Sequence, residues 1–484
     1  MTEKNKIISS LLYKFLERIG YQGVSFIIGI ILARVLGPEV YGTIAILLVF
    51  ITFAQVFVQS GLNYALIQKK EVNEESFSTV FYISMIVVVI LYLVLFFTSP
   101  FIAKLYKDES LCLFLRVLSL VLFPAAYNSI QNAIIVRDLQ FKYQLVSNLI
   151  AIVSSGLLSI LLAYFGLGVW VLVIQQIAIQ VFSCFAMMIF VKWRPKFCFN
   201  KNEALRLGRY GSKLLASQLF VTFYEECTTL VIGRYYPQEI VGYYNRGAQF
   251  PKLIAVNINS AIQSVIFPVL SKEQEQHHVI QKIVLRAIDY STYIITPLLA
   301  GLAVVAPSLV TILLGSEWAG CVPYLQLMCL FYIVQPIGTE YIQAIMAIGR
   351  TGVSMILGII KSLFGFSAIL IASIVSIDVL SIVIAIVINQ FLYTISCGVV
   401  FAILFHCSLR DHCLVIIKNL LLSIAMYYCL NLLSLMIIQP FSLLCLQVFA
   451  GIILYFLFSR VLKPSPFMEV LAFLRRRGAS RYEK

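Results

Sequence analysis

Apolar residues run along this chain in long blocks separated by short polar stretches. The blocks fall roughly at 11–35, 42–66, 77–98, 111–135, 144–166, 168–192, 208–232, 240–268, 285–313, 322–348, 352–373, 378–404, 413–434 and 440–462. An α-helix needs roughly 20 apolar residues to cross the hydrocarbon core of a bilayer, and each block is close to that length. The pattern predicts an all-α integral membrane protein with about 14 transmembrane helices.

Composition supports this. The chain is 61% hydrophobic and 12% charged, with a mean hydropathy of +0.95. A soluble domain carries about 25% charged residues, and a chain this apolar needs lipid as part of its solvent. The net charge of +14 would suggest nucleic acid in a soluble protein. Here the positive residues stand at the ends of apolar blocks, so they set topology, and no nucleic-acid partner is expected. With a cytoplasmic N-terminus, the inner loops hold Lys69, Lys70, Arg137, Lys142, a cluster from Lys192 to Arg209, Lys272, Lys282, Arg286, Arg350, Arg410 and Lys418, and the tail adds Lys463, Arg475, Arg476, Arg477, Arg481 and Lys484. The outer loops hold Arg34, Lys104, Lys107 and Arg234. This asymmetry places both termini in the cytoplasm, which requires an even number of spans. The first residues are broken by Lys14, Glu17 and Arg18 and do not form a signal peptide. The eleven cysteines form no CxxC pair and read as small apolar fillers.

The chain also repeats itself. ARVLGPEVYG (33–42) resembles GRYYPQEIVG (233–242), aligning Arg34 with Arg234, Glu39 with Glu239 and Gly42 with Gly242. The same register puts Gln59 on Asn259 and Asn63 on Gln263, and Pro124 with Gln131 resembles Pro336 with Gln343 at a slightly larger offset. The expected organisation is an N-lobe of six helices (1–192), a cytoplasmic linker (193–207) that is either a hinge or a plain loop, a C-lobe of six helices (208–404), two further helices (405–462) and a basic tail (463–484). Parallel repeats of this kind are a transporter architecture, with the substrate site between the halves.

A charge at the membrane centre costs at least about 2.5–3.5 kcal/mol, so it calls for a reason. Lys14, Glu17 and Arg18 share one face of the first span, continued by Gln22 and Ser25. Gln55, Gln59 and Asn63 repeat every four residues in the second. The seventh carries Lys213 and the stripe Gln218, Thr222, Glu225 and Thr229, and the eighth carries Arg246 beside Asn245, Gln249, Lys252, Asn259 and Gln263. These are the first two spans of each half, and their polar faces suit one wet cavity. Snorkelling to the interface or amide bonding between helices is the plainer account. Lys14, Arg18, Lys213, Arg246 and Lys252 outnumber Glu17, Glu225 and Glu226, and a positive, partly desolvated cavity selects an anionic group such as a phosphate. The three glutamates read first as structural ion pairs and second as ion-coupling sites. Arg116 and Asp289 stand near span ends, where snorkelling or pairing suffices, and Glu340 and Lys361 are placed to pair with each other.

No phosphate-binding loop, HExxH, GxSxG or Cys/His metal spacing occurs, so no cofactor, metal site or catalytic residue is expected. His277, His278, His406 and His412 fall in cytoplasmic loops and read as solvated. Asp108 with Glu109, in the longest outer stretch, is the one pair resembling the acids of a membrane glycosyltransferase.

The run GIILARVLGPEVYGTIAILLVFITFAQVFVQSGLNYALIQKKEVNEESFSTVF (29–81) resembles the N-terminal signature of Wzx-type polysaccharide flippases, a branch of the multidrug/oligosaccharidyl-lipid/polysaccharide exporter superfamily. IVGYYNRGAQFPKL (240–253) resembles that branch's G-x-Y-N-R element, and IQAIMAIGRTGVSMILGIIK (342–361) its tenth-to-eleventh-span connection. Gly247 stands where the branch usually has Ala, a departure expected to matter little. The resemblance implies two six-helix lobes around a cationic cavity opening alternately to each side of a bacterial inner membrane. It implies transport of an undecaprenyl-diphosphate-linked oligosaccharide, with polymerase and chain-length proteins of one pathway as partners and Arg246 as the first phosphate contact. The rivals are a MATE-type cation-coupled drug antiporter, whose cavity would be dominated by acids, a polytopic polymerase or glycosyltransferase, which would carry a large external loop, and a passive scaffold.

The topology is directly testable. Alkaline phosphatase fused after Lys484 is expected to be inactive and a fluorescent protein at the same point to be bright; the reverse result refutes the cytoplasmic placement.

Overall fold

A computed structural model describes residues 3–59, 66, 73–375, 378–434, 439–469 and 471–472. Asn63, Lys69, Lys70 and the tail basics from Arg475 onward lie outside the described residues, as do the side chains of Gln59 and Lys213. Among the described residues the regular structure is helical, with no strand. The long elements are α1 (Glu3–Gln59), α2 (Glu74–Tyr106), α3 (Ser110–Leu118), which continues through a 3₁₀ turn into α4 (Leu122–Arg137), α5 (Phe141–Tyr164), α6 (Val169–Phe190), α7 (Lys201–Tyr235), α8 (Gln238–Lys272), α9 (His277–Leu313), α10 (Val322–Ala347), α11 (Thr351–Val375), α12 (Val379–Phe405), α13 (Arg410–Leu433) and α14 (Pro440–Leu462).

Twelve stretches are long and apolar enough to span a membrane, against the fourteen blocks of the sequence. Two elements make the difference. The first two blocks lie on α1 alone, whose 57 residues would extend about 85 Å if straight, far beyond the roughly 30 Å hydrocarbon core. The chain turns within it at Gly37 (φ 73°, ψ 172°), immediately before Pro38. Proline disfavours helical geometry in the residue before it, and glycine tolerates the positive φ. The second is α7, which carries the block at 208–232 but is diluted by Lys213, Glu225, Glu226 and Arg234.

Contacts divide the chain into two compact units, Met1–Gly242 and Tyr243–Lys484. In the first, Ile28, Leu32, Leu47 and Ile51 of α1 pack with Val88 and Leu95 of α2, Leu111 and Leu115 of α3, Ile152 of α5 and Val171 of α6. The expected linker is extended only as far as Asn200, because α7 already begins at Lys201. The extended part is strapped to α2. Lys196 N donates to Ser78 Oγ at 3.1 Å, Asn200 N donates to Thr79 Oγ1 at 3.1 Å, and Lys196 pairs with Glu74. The hydrogen bond to Glu74 raises the Lys196 pKa above its usual value. Trp193 lies against Phe77, Phe81 and Tyr127.

The internal repeat has a structural counterpart in this unit. A Cβ on Gly42 would sit 1.7 Å from the Gln238 carbonyl oxygen, and one on Gly242 would sit 2.1 Å from the Pro38 carbonyl oxygen. Residues 38 and 238 are themselves repeat partners, so the contact is reciprocal. It needs glycine on both sides because backbone occupies the space of a side chain. Thr43 Oγ1 donates to Gln238 Oε1 at 2.6 Å, and Gln238 Nε2 donates to Asp108 Oδ2 at 2.6 Å.

In the second unit Leu270, Ile280, Val284, Ile288, Ile337, Phe401 and Phe405 form the main core. The two C-terminal helices are fastened to α9 by buried polar groups. Asn419 Nδ2 of α13 donates to Asp289 Oδ1 at 3.0 Å and Thr292 Oγ1 at 2.9 Å, and Ser423 Oγ donates to Thr296 Oγ1 at 3.2 Å. From α14, Tyr455 Oη donates to the Tyr293 carbonyl at 2.7 Å, and Tyr293 Oη donates to Ser459 Oγ at 3.0 Å. Asp289 is therefore held inside the unit and does not snorkel. His412 is likewise buried, 3.3 Å from Tyr341 Oη and packed beside Phe401, where the sequence suggested a solvated residue. It lies in the first turn of α13, on the one face of that turn that is buried.

Replacing Asn419 with Leu leaves Asp289 and Thr292 without their donor. The expected cost is about 1–3 kcal/mol, read as a lowered thermal unfolding midpoint in detergent. Ser423→Ala is expected to cost less.

Candidate functional site

The first span carries its charges as a connected group. Lys14 Nζ lies 3.0 Å from Glu17 Oε2 and donates to Gln144 Oε1 of α5 at 3.1 Å. Glu17 is buried, and its other oxygen accepts from Asn148 Nδ2 at 2.8 Å. Gln144 Nε2 donates onward to Asn132 Oδ1 of α4 at 3.3 Å. Lys14 is exposed, with Nζ 5.8 Å from the centre of the Phe141 ring, and Arg18 one turn later is exposed as well. Glu17 thus acts as a buried anchor, while the lysine keeps part of its ammonium outward. The three amides Asn132, Gln144 and Asn148 were not singled out from sequence. The signal was there in the four-residue spacing of Gln144 and Asn148 on an otherwise apolar helix.

On α7 the predicted stripe splits by depth. Gln218 and Glu225 are exposed, Thr222 and Thr229 are buried, and Glu226 is half-buried.

In the second unit, Arg246 of α8 is 7% exposed and its Nη1 donates to Gln249 Oε1 at 2.7 Å. Gln249 and Lys252 are exposed and Asn259 is buried. Gln343 Nε2 of α10 donates to Gln263 Oε1 at 3.3 Å, joining two amides that the repeat pattern had picked out separately. Gly247 matters more than expected. A Cβ there would stand 2.9 Å from Leu325 N and 3.0 Å from the Cys321 carbonyl oxygen. The backbone of α8 touches the start of α10 at this point, and that contact sets where Arg246 sits.

Three other expectations are revised. Glu340 and Lys361 do not pair: among the described residues neither Glu340 oxygen has a hydrogen-bond partner, and the Lys361 ammonium lies 4.5 Å from the centre of the Tyr393 ring. The ammonium instead sits between the rings of Phe331 and Tyr393, whose faces attract a cation without a carboxylate. Arg116 does not snorkel, since its Nε donates to Ser99 Oγ at 2.9 Å and its guanidinium stacks on Phe96 at 4.1 Å. Asp108 has both carboxylate oxygens engaged within the protein, one accepting from Ser110 N at 3.0 Å at the start of α3 and the other from Gln238 at 2.6 Å.

Residues 31–323 match the family model described as polysaccharide biosynthesis protein. The chain belongs to that family. Among its relatives, the succinoglycan biosynthesis transport protein ExoT of Rhizobium meliloti (strain 1021) is 25% identical over 320 residues, which is 66% of this chain and 64% of that protein. The teichuronic acid biosynthesis protein TuaB of Bacillus subtilis (strain 168) is 26% identical over 62% of each chain. The lipopolysaccharide biosynthesis protein WzxC of Escherichia coli (strain K12) is 22% identical over 77% of this chain and 76% of its own length. The match thus spans a little under two thirds of ExoT and TuaB. In fold, this member of the polysaccharide biosynthesis family is similar to the lipid II flippase MurJ in an inward closed conformation, with a TM-score of 0.76, 15% identity, and coverage of 94% of this chain and 98% of that one. An inward-facing multidrug resistance MATE family transporter of the MOP superfamily gives a TM-score of 0.64 at 16% identity over 82% of this chain and 98% of that one. The polysaccharide biosynthesis protein is therefore a many-span helical membrane protein with a transporter fold.

Chemically, Lys14 and Arg18 of the first unit, and separately Arg246 and Lys252 of the second, offer N–H donors with fixed positive charge, a chemistry suited to phosphate oxygens. Neighbouring amides suit hydroxyl-rich groups. Lys14 is half exposed, its side chain 48% accessible against 12% for Glu17, so their attraction is weakened by solvent. A double-mutant cycle of Lys14→Met with Glu17→Gln is expected to give a coupling below about 1 kcal/mol in unfolding. A coupling of about 3 kcal/mol or more would mark a purely structural buried pair.

Proposed function

We propose that this chain moves an undecaprenyl-diphosphate-linked oligosaccharide from the inner to the outer leaflet of a bacterial inner membrane, for assembly of a surface polysaccharide. The observation that carries the reading is Arg246. Its guanidinium is buried within an apolar span of a polysaccharide biosynthesis protein, and a neutral amide, Gln249, orients it. An arginine held in this way presents N–H donors with fixed positive charge, the chemistry that suits phosphate oxygens.

A diphosphate cannot enter hydrocarbon alone, because desolvating its charge is too costly. Arg246 and Lys252 from the second repeat, with Lys14 and Arg18 from the first, and Lys213 from α7, replace its water shell. Gln59, Asn63, Gln249 and Asn259 take the sugar hydroxyls. Glu17 keeps Lys14 placed, and Glu225 and Glu226 balance charge or carry a coupling ion. The lipid tail stays in the bilayer while the two repeats rock about the head group, exposing it to each side in turn. With both termini inside, outward movement of an anion is favoured by an inside-negative potential at about 2.3 kcal/mol per charge per 100 mV. On this reading the chain does no bond chemistry and works beside the polymerase and chain-length proteins of its pathway. The fold is shared with MATE transporters, but the surplus of basic over acidic groups in the first spans of each repeat argues for an anionic substrate over a cationic drug.

Arg246→Ala and Lys252→Ala are expected to reduce surface polysaccharide while lipid-linked repeat units accumulate inside, with membrane insertion unchanged. Losing a charged hydrogen bond of about 1.5–3 kcal/mol weakens binding roughly tenfold to a hundredfold. Normal export in both variants would refute the assignment of these residues.

A further inference from the structure

Glu340 has no place in the scheme above, yet it is the most unusual buried group in the second unit. It lies two turns before the end of α10 with 0% exposure, and among the described residues neither of its oxygens has a hydrogen-bond partner. Asp289, the other buried carboxylate among the described residues of this unit, contrasts with it by accepting from Asn419. An ionised carboxylate in hydrocarbon is costly even on insertion scales, and with nothing to bond it the cost rises further.

The surroundings sharpen the point. The α8–α10 pair touches at two levels, at Gly247 against Cys321 and Leu325, and at Gln263 with Gln343. Helical periodicity puts Leu325, Pro336, Glu340 and Gln343 along the α8-facing strip of α10. One turn before Gln263 on α8 stands Asn259, 8% exposed, whose Oδ1 has no partner among the described residues. Two buried oxygen acceptors therefore occupy the same level of one helix pair, each one turn from the glutamine contact. Several ionisable groups on the helices around them are committed elsewhere. Asp289 of α9 is held by Asn419, Tyr341 of α10 by His412, Lys361 of α11 lies over Tyr393 of α12, Arg246 of α8 is bonded to Gln249, and Lys252 of α8 is exposed. Cys397 of α12 is buried in the core around Phe401.

We propose that Glu340 is a proton-binding site of this transporter, neutral in the conformation described here and deprotonated at another point of the transport cycle. Protonation turns a charged acceptor into a neutral acid with one O–H donor, which is the kind of group that a site containing a second unpartnered acceptor lacks. Release breaks only that O–H bond, with the proton passing to water and the carboxylate left behind. Movement of α8 against α10 is the natural trigger, because it changes the water access of a group that neither helix otherwise bonds. The coupling to transport rests on the flippase reading above, whereas the protonation itself does not.

Two measurements separate these parts. Infrared spectra of the purified full-length chain in nanodiscs should show a neutral-carboxyl C=O stretch that shifts in D₂O and is lost in Glu340→Gln, an isosteric change that leaves the packing intact. Absence of that band, or its loss on titration with sodium, overturns the proton assignment whether or not the chain exports polysaccharide. In cells, collapsing the pH gradient with nigericin should lower surface polysaccharide for the wild type, while Glu340→Gln should lose the response to nigericin. A variant that responds as the wild type does overturns the coupling.

Discussion

The constraint on which this structure depends is that hydrocarbon offers no hydrogen bonds. Every backbone N–H and C=O inside the bilayer must find its partner within the chain, and an α-helix does this residue by residue. The described residues accordingly form helices without strands. Within the 57-residue α1, the departure from regular helix falls where glycine and proline make it cheap, at Gly37 and Pro38.

The same constraint gives polar side chains unusual weight. Between lipid-embedded helices the hydrophobic effect supplies little specificity, because lipid tails are as apolar as leucine. Register and partner choice then fall to close backbone contacts and to buried hydrogen bonds. The reciprocal approach at Gly42 and Gly242, the Thr43–Gln238–Asp108 chain and the ladder from α9 to Asn419 and Ser423 are the two devices at work. These groups resemble functional residues in sequence, since each is a polar residue in an apolar helix. The structure separates the classes by satisfaction. Asp289, Arg116 and Asp108 have their bonds made locally, whereas Lys14 and Lys252 present charge outward and Glu340 has a carboxyl with no bond at all.

On the proposed function, this distinction bears on how a carrier of anions would avoid being poisoned by its own charges. A fixed carboxylate beside each cation would stabilise the empty protein and compete with the substrate. Glu17 takes a middle course. It is held mainly by Asn148 from behind and touches the exposed Lys14 from the side, so the lysine is positioned without being fully neutralised. Gln249 accepts from Arg246 through a neutral amide oxygen.

Much of this was legible in the order of residues alone. The length of the apolar blocks dictates membrane-spanning helices, because helix rise and bilayer thickness are fixed. The offset of 200 between Gly42 and Gly242 announced the repeat, and the blocks themselves located nearly every helix. What could not be read was which polar residue meets which. Glu340 and Lys361 are close in sequence order of helices, yet the lysine lies over Tyr393 and the glutamate is buried without a hydrogen bond among the described residues, because azimuth around a helix depends on how it packs. Gly247 looked like a harmless change until the backbone of α10 was found against it. Local composition sets where a chain enters the membrane, since that depends on each segment's own transfer free energy. The pairing of buried charges is decided only in three dimensions, since it depends on groups brought together from distant parts of the chain.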